Sequence, residues 1–231
     1  ELAMVLRARR LKRGALDLSI PEVKIELDEE GCVSGARLTE NTVSHQIIEE
    51  LMLAANQSIA GFLKERKLIF IRRLHEDPNS RKLDSLGVFS RDMGIEVDAV
   101  RSRFDIIEII KQARGKPVEK AIFMAVLRAL QKAVYGPIPE RHYALNMDHY
   151  CHFTSPIRRY PDLLIHRMLD ELAAGRKPVQ DQAALQALGD HCSDREQRAT
   201  AAERQLVKLK LLAYLADRIG EQMEAVITGV E

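Results

Sequence analysis

The segment from Thr42 to about Lys67 is the feature that most narrowly limits how this chain can fold. Five apolar residues recur along it at helical spacing: Ile48, Leu51, Ala55, Ile59 and Phe62. Residues three and four positions apart lie on one face of a helix, whereas a strand alternates its faces at every residue. We therefore predict one long helix here, with these five side chains buried.

Helical patterns also account for much of the remaining chain, and glycine or proline marks the ends of most of them. In the segment 117–136, for example, Ile122, Val126, Leu130 and Val134 step by four. The other predicted helices cover residues 1–13, 80–93 and 104–114, the stretch from Pro161 to Gly175, and a long helix running from a capping box at Ser193–Glu196 to about Arg218.

Two stretches have strand-like patterns. Val23, Ile25 and Leu27 alternate with charged residues, residues 28–31 are typical of a turn, and residues 33–38 return, so we predict a β-hairpin. The short apolar run at residues 68–71 predicts one further strand. The fold class is therefore α+β, mainly helical, with one β-hairpin near the N-terminus.

Composition and charge exclude several classes of protein. The 231 residues are 46% hydrophobic and 30% charged, which is typical of a globular chain with one sizeable core or two small ones. Since the net charge is only +1, a polyanion would have to be bound by local clusters of cations. Three scattered cysteines indicate no disulfide framework and favour a reducing cytoplasm. No apolar run reaches the roughly 18 residues of a membrane span.

Both ends of the sequence are typical of a piece of a larger protein. Glu1 lies inside a helical pattern, and a strand pattern begins after Gly220, at Met223 and Val226. We expect residues 1–218 to form part of one domain and residues 219–231 to begin a further β domain.

Residues 150–167 (YCHFTSPIRRYPDLLIHR), here named the signature segment, carry the most informative chemistry. Ser155 followed by Pro156 is typical of a helix start, but Pro161 lacks the N–H that would continue that helix. A second helix then begins with Asp162 in its first turn. Two arginines and free backbone N–H groups in one tight turn suit a phosphodiester oxygen. An ordinary helix start with solvated arginines has the same pattern, so the segment alone leaves both interpretations open.

The string TSPIRRYPD in the signature segment, followed by LLIHR, resembles the signature of the ribonuclease II/R family. Further motifs stand in that family's order and spacing: RGALD at 13–17, EVK at 22–24, IEELMLAAN at 48–56, RLHE at 73–76, AVY at 133–135 and AER at 202–204. The resemblance covers nearly all of residues 3–218. It implies the C-terminal part of an RNB catalytic domain, with helices around a β-barrel-like core, followed at residues 219–231 by the start of an OB-type RNA-binding barrel.

The same resemblance implies a processive exoribonuclease that removes nucleotides from the 3′ end of single-stranded RNA by metal-assisted hydrolysis. Its Mg²⁺ ligands, a cluster of aspartates, are expected in the half of the catalytic domain that precedes Glu1, because Asp17, Asp28, Asp162 and Asp170 are isolated in this sequence. We therefore expect no metal ligands and no hydrolysis from this chain alone. Two alternatives stay open: a catalytically inactive, nuclease-like protein that binds RNA or a partner, and a self-standing interaction module. The sequence does not determine the oligomeric state.

Several family roles transfer to this sequence through the resemblance. Arg158 matches the arginine that contacts the scissile phosphate, where a guanidinium neutralises growing charge, and Arg159 is a supporting residue. Glu203 matches an acidic residue of the active-site wall, although an exposed helix glutamate paired with a neighbour fits the sequence too. Further RNA contacts are expected from Thr154, Ser155, Tyr160 and Arg167.

The long helix offers a choice between Glu49 and Glu50. On a helical wheel, Glu49 and Asn56 border the apolar face, whereas Glu50 projects well away from it. We therefore predict that Glu49 and Asn56 contact the terminal nucleotide, although a plain boundary of the core fits the same stripe. Arg158, Glu203 and this stripe should then face one cavity floored by residues 154–156.

Overall fold

The computed structural model describes residues 1–18, 22–39, 41–216 and 218–222. Within these ranges the helices are α1 Leu2–Lys12, α2 Val43–Glu65, α3 Ser80–Asp92, α4 Arg103–Ala113, α5 Glu119–Ala129, α6 Tyr160–Ala173 and α7 Gln182–Ala216. The strands are β1 Glu22–Leu27, β2 Val33–Thr39, β3 Arg72–Leu74 and β4 Val134–Gly136. The fold is α+β and mainly helical, as predicted. The strand expected from Met223 onward lies outside the described residues.

The strands form two antiparallel pairs. β1 and β2 make the predicted hairpin, with Glu22 opposite Thr39 and an irregularity at Glu26/Leu27. β3 pairs with β4 and places Arg73 opposite Tyr135. The strand predicted at residues 68–71 is wrong, since pairing begins only at Arg72. That apolar run is instead a buried approach to β3, which packs against α2 and α6.

Local signals explain most helix ends. α3 begins at Asn79, whose side chain accepts the N–H of Arg81, and α4 begins with a capping box formed by Ser102 and Asp105. The predicted helices corresponding to α1, α2, α3, α4 and α6 are confirmed, because their start and stop signals lie at or next to the helix ends.

Two predicted helices have different bounds in the structure. Residues 117–136 do not form one helix, since α5 ends at Ala129 and Val134 pairs with Leu74 in the second sheet. α7 begins at Gln182 rather than at Ser193. The Ser193 hydroxyl is used inside the helix, where it donates to the Gly189 carbonyl at 2.7 Å and accepts the Tyr135 N–H at 2.8 Å. The hydrogen bond from the Tyr135 N–H to the Ser193 hydroxyl attaches β4 to α7.

α2 buries a different face from the predicted one. Ile48 is 59% exposed and Leu51 45% exposed, whereas Glu50 is only 2% exposed. The prediction that Glu50 projects away from the core is therefore wrong. The reason is an ion pair: α1 packs along α2, and Arg10 Nε donates to the Glu50 carboxylate oxygens at 3.1 and 3.2 Å. A helical wheel shows where apolar residues cluster, so it cannot identify a helix face that is buried because its charged residues form ion pairs.

The core contains two main apolar clusters. The first joins α3, α4 and α5 and is largely aliphatic, with Ile106, Ile122 and Val126 fully buried. The second lies beneath the signature segment and contains Ala60, Leu63, Phe70, Ile71, Tyr135, Cys151 and Ile165. The second cluster includes Cys151 and Ile165 of the signature segment and so positions the site described next. Within the described residues, no helix is long and apolar enough to cross a membrane.

Candidate active site

A cavity of about 800 Å³ opens between the signature segment and the middle of α7. Arg158 and Glu203 both line it, although 45 residues separate them along the chain. The structure therefore brings together the two residues that the sequence assigned to the reacting phosphate and to the site wall. The other lining residues are Tyr135, Arg159, Tyr160, Pro161, Leu188, His191, Cys192, Arg195, Glu196, Ala199 and Thr200.

The signature segment makes a single tight turn before α6. The carbonyl of Ser155 accepts the N–H groups of Arg158 at 3.3 Å and Arg159 at 3.1 Å. The turn does not continue into a helix because Pro161 has no N–H to donate, and α6 starts afresh at Tyr160 with Pro161 in its first turn. This break, predicted from the two prolines, leaves the Arg158 side chain exposed at the cavity.

The two adjacent arginines have different surroundings. Arg159 Nη2 donates to Asp162 Oδ1 at 2.7 Å, and Asp162 is 0% exposed. The same oxygen accepts the N–H of Ser155 at 2.8 Å. Arg158 is exposed, lines the cavity and has no ion pair within the described part of the chain. Arg158 is therefore available to an anion in the cavity, whereas Arg159 stabilises the turn.

Tyr135 forms part of the cavity wall and is fixed by a partly buried histidine. Its hydroxyl lies 2.9 Å from Nδ1 of His152. Burial raises the pKa of Tyr135 to about 12. Burial, together with the nearby cations Arg159 and Arg73, lowers the pKa of His152 to about 2. Both side chains are thus neutral near pH 7, which suits a fixed wall better than proton transfer.

The two glutamates of the wall differ in how they are paired. Glu196 accepts two hydrogen bonds from Arg73, at 2.6 and 3.1 Å, so its charge is neutralised by β3. Glu203 is exposed and has no ion pair among the residues that the structure describes. The alternative that Glu203 pairs with a helix neighbour is therefore not what the structure shows. The cavity presents an unpaired carboxylate and the unpaired Arg158 guanidinium.

Asn56, Thr154 and Ser155 lie behind the cavity rather than on its wall. Asn56 is 3% exposed; its amide donates to the Tyr150 hydroxyl and accepts the N–H of Phe153, both at 3.0 Å. Asn56 therefore holds the start of the signature segment against α2. Ser155 acts through its backbone, and the Thr154 hydroxyl is buried without a partner in the described structure.

Two other predicted site residues lie elsewhere. Glu49 faces α1, where its carboxylate is 3.9 Å from Arg7 and 3.7 Å from Arg10. Arg167 is exposed in a separate groove between α6 and the start of α7. The expectation of one common cavity thus holds for Arg158 and Glu203, with Arg159 and Tyr160, but the wall does not include Glu49 or Asn56.

Sequence reasoning missed four residues that shape the site. Asp162 stands in the signature segment, where the sequence alone indicates only an isolated carboxylate, but it lies in the first turn of α6 and is 0% exposed. Arg73 and Glu196 are 123 residues apart, so no local pattern relates them. Tyr135 falls in the AVY motif, which is the one signal that pointed towards it.

The side chains of the cavity bear on whether this chain could bind a metal ion by itself. In the described ranges, no three His, Cys, Asp or Glu side chains are close enough to hold an ion together. At the cavity wall, Glu196 is already committed to Arg73. These residues do not fit a metal centre by themselves, and no chemical step is assigned to a metal here.

Comparisons with known proteins agree on one family. The RNB domain model matches residues 1–175. Ribonuclease R 1 of Lactococcus lactis is 34% identical over 100% of this chain, which covers 29% of that relative. Mycoplasma genitalium RNase R, solved in complex with ribose-methylated single-stranded RNA, has a TM-score of 0.88 at 29% identity, over 95% of this chain and 36% of that one. The chain thus spans about a third of the length of its relatives.

The fold alone does not separate active from inactive proteins. Yeast Ssd1, described as a pseudonuclease, has a TM-score of 0.61 at 21% identity, over 83% of this chain and 25% of Ssd1. A fold shared at this level carries no activity with it, so function has to be argued from the site.

Proposed function

The chain belongs to the RNB domain family, and we propose that the whole protein is an exoribonuclease that degrades single-stranded RNA from its 3′ end to nucleoside monophosphates. The observation that carries this proposal is the shared cavity of Arg158 and Glu203, which come from separate elements. The ribonuclease R relatives and the RNA-bound neighbour support it.

Arg158 is assigned to the reacting phosphate. Its guanidinium is exposed to the cavity and unpaired in the described structure, so it can approach a phosphoryl group without first breaking an ion pair. A planar fork of N–H donors matches two phosphoryl oxygens and stabilises the charge that grows on them in the transition state.

Glu203 and Tyr135 are assigned to the sugar side of the substrate. A carboxylate accepts hydrogen bonds from ribose hydroxyls but repels a phosphate, which places Glu203 beside the sugar. Tyr135 is protonated near pH 7, as tyrosines generally are, and burial raises its pKa further, to about 12. A neutral wall next to Arg158 leaves the positive charge of that arginine undiminished.

Nucleases of this family are generally metal-dependent, and we place the ligands of a divalent ion, Mg²⁺, outside the described residues. When bound, the ion would supply an activated water at neutral pH. The residues of this chain are assigned charge neutralisation, orientation and shaping of the cavity. Hydrolysis is therefore assigned to the full-length protein and not to these 231 residues alone.

The test uses the full-length protein with Mg²⁺ and one single-stranded RNA labelled at either end. With a 3′ label, we expect immediate release of a labelled mononucleotide. With a 5′ label, we expect the labelled strand to be shortened from its other end, with no early release of a labelled mononucleotide. Internal fragments would contradict the direction of attack. Tight RNA binding without any shortening would instead favour the inactive, RNA-binding alternative.

A further inference from the structure

We propose that Asp162 is a positioning residue that decides which of the two adjacent arginines faces the substrate phosphate. The inference rests on the proposed function, since it concerns the same cavity. It assigns to the side chain of Asp162 the task of holding the Arg159 guanidinium in an ion pair at the cavity wall, so that Arg158 alone is free to meet the reacting group.

The contacts of Asp162 carry the argument. Its carboxylate is 0% exposed, and its Oδ1 atom accepts both the Ser155 N–H at 2.8 Å and Arg159 Nη2 at 2.7 Å. The Oδ1 atom therefore stabilises the turn and binds the Arg159 guanidinium at the same time. Since Asp162 lies in the first turn of α6, the helix N-terminus also stabilises its negative charge.

The capture of Arg159 depends on charge more than on the number of contacts. Asp162 Oδ2 and Arg159 Nε are both buried without a hydrogen-bond partner in the described structure, so the pair is held by one hydrogen bond rather than by a two-pronged fork. A single charge-assisted bond weakens strongly when the acceptor loses its charge. Arg159 also lines the cavity, so its released guanidinium would be free to bind a phosphate there.

A competing guanidinium would disturb catalysis without weakening binding. RNA would gain a cation, but the phosphate would be shared between two arginines and displaced from the orientation that Arg158 provides. Displacements of about 1 Å can reduce rates by roughly a hundredfold. A merely structural role for Asp162 would instead reduce affinity and turnover together.

The experiment is Asp162→Asn in the full-length protein, with kcat and the salt dependence of RNA binding measured side by side. The amide oxygen still accepts the Ser155 N–H, while the charge that holds Arg159 is gone. We expect kcat to fall about 10- to 100-fold. The slope of log K against log salt for single-stranded RNA should steepen by about 0.7, the value for one additional phosphate contact. An unchanged slope in a folded variant would overturn the inference.

A double variant, Asp162→Asn with Arg159→Gln, removes the competitor as well. We expect it to return the salt slope to the wild-type value and to bring kcat within about tenfold of wild type. This variant also decides the matter if Asp162→Asn alone does not fold, because replacing both partners of a buried ion pair leaves no unpaired charge. A folded double variant as slow as Arg158→Ala would refute the role of Asp162.

Glu171→Gln is the matched control. Glu171 lies in the same helix and accepts two hydrogen bonds from Arg176, at 2.6 and 2.8 Å, away from the cavity. Its substitution also frees an arginine, yet kcat and the salt slope should not change. If the wild-type full-length protein does not shorten RNA, the proposed function fails; if Arg158→Ala leaves turnover intact, the role of Arg158 fails; if only the Asp162 effects are missing, the positioning role fails alone.

Discussion

The helical unit formed by α3, α4 and α5 and the signature segment both contain fully buried side chains, but these side chains differ in chemistry. In the helical unit the largest buried side chains are aliphatic, such as Ile106 and Ile122 at 0% exposure. In the signature segment the fully buried residues include Asp162, tied to Arg159. Burial of apolar area stabilises a fold, whereas a buried ion pair contributes little net stability and fixes geometry instead. Buried side chains of the helical unit therefore mainly stabilise the fold, whereas those of the signature segment mainly fix the orientation of the two arginines.

The largest effect on stability is expected in the helical unit. Ile122→Ala should lower the free energy of unfolding by about 2–5 kcal/mol, because it leaves a cavity in a closely packed cluster. Urea denaturation would measure this loss, and turnover per folded molecule should stay near wild type. Val88→Ala, at a position 51% exposed on α3, should change stability by less than about 0.5 kcal/mol. An Ile122→Ala variant that stays stable but loses turnover would contradict the assignment of stability to the helical unit.

The next effect belongs to the signature segment. Arg158→Ala in the full-length protein should reduce turnover by about 10²–10³, the scale for one preorganised electrostatic donor, with little change in stability or RNA affinity. Lysine should restore only part of the loss, since a point charge does not reproduce the planar fork. Single-turnover kinetics would test this, with Arg176→Ala, at an exposed position just beyond the end of α6, as the control. An equal loss in affinity would indicate a ground-state contact instead.

A smaller effect concerns pH. Burial and neighbouring cationic groups lower the pKa of His142 to about 3 and of His152 to about 2, whereas residues 80–129 of the helical unit contain no histidine. The unfolded chain binds these protons near pH 6.5, so it holds more protons than the fold below that pH. Stability is therefore complete above pH 6.5 and is lost as pH falls, by about 1.4 kcal/mol per histidine between pH 7.5 and 5.5.

His152→Gln isolates this contribution, because glutamine can still accept a hydrogen bond from Tyr135 but does not titrate. The loss of stability between pH 7.5 and 5.5 should become about 1.4 kcal/mol smaller in this variant. Urea denaturation at the two pH values would measure it. An identical pH dependence in the variant and the wild type would show that His152 is not the group responsible.

The sequence predicted those features whose causes are local. The hairpin, the glycine-terminated helices and the break at Pro161 each follow from a few neighbouring residues, and the structure confirms them. The motif string also predicted the family, which the RNB domain match confirms. Errors arose where a distant segment decides the outcome. The buried face of α2 depends on Arg10, which pairs with Glu50. Ser193 lies inside α7 rather than at its start, and its hydroxyl accepts a hydrogen bond from the Tyr135 N–H of β4.

The sequence by itself determined the class of fold, the family, and the two residues, Arg158 and Glu203, that the structure places on one cavity wall. Only the tertiary structure decided that Arg159 forms an ion pair with Asp162, and that Asn56 holds the start of the signature segment through the Phe153 N–H. The physical reason is that motifs record residue types along the chain. Ion pairs, burial and cavities depend on which segments pack together. The sequence around a charged residue does not show whether its side chain is exposed or buried.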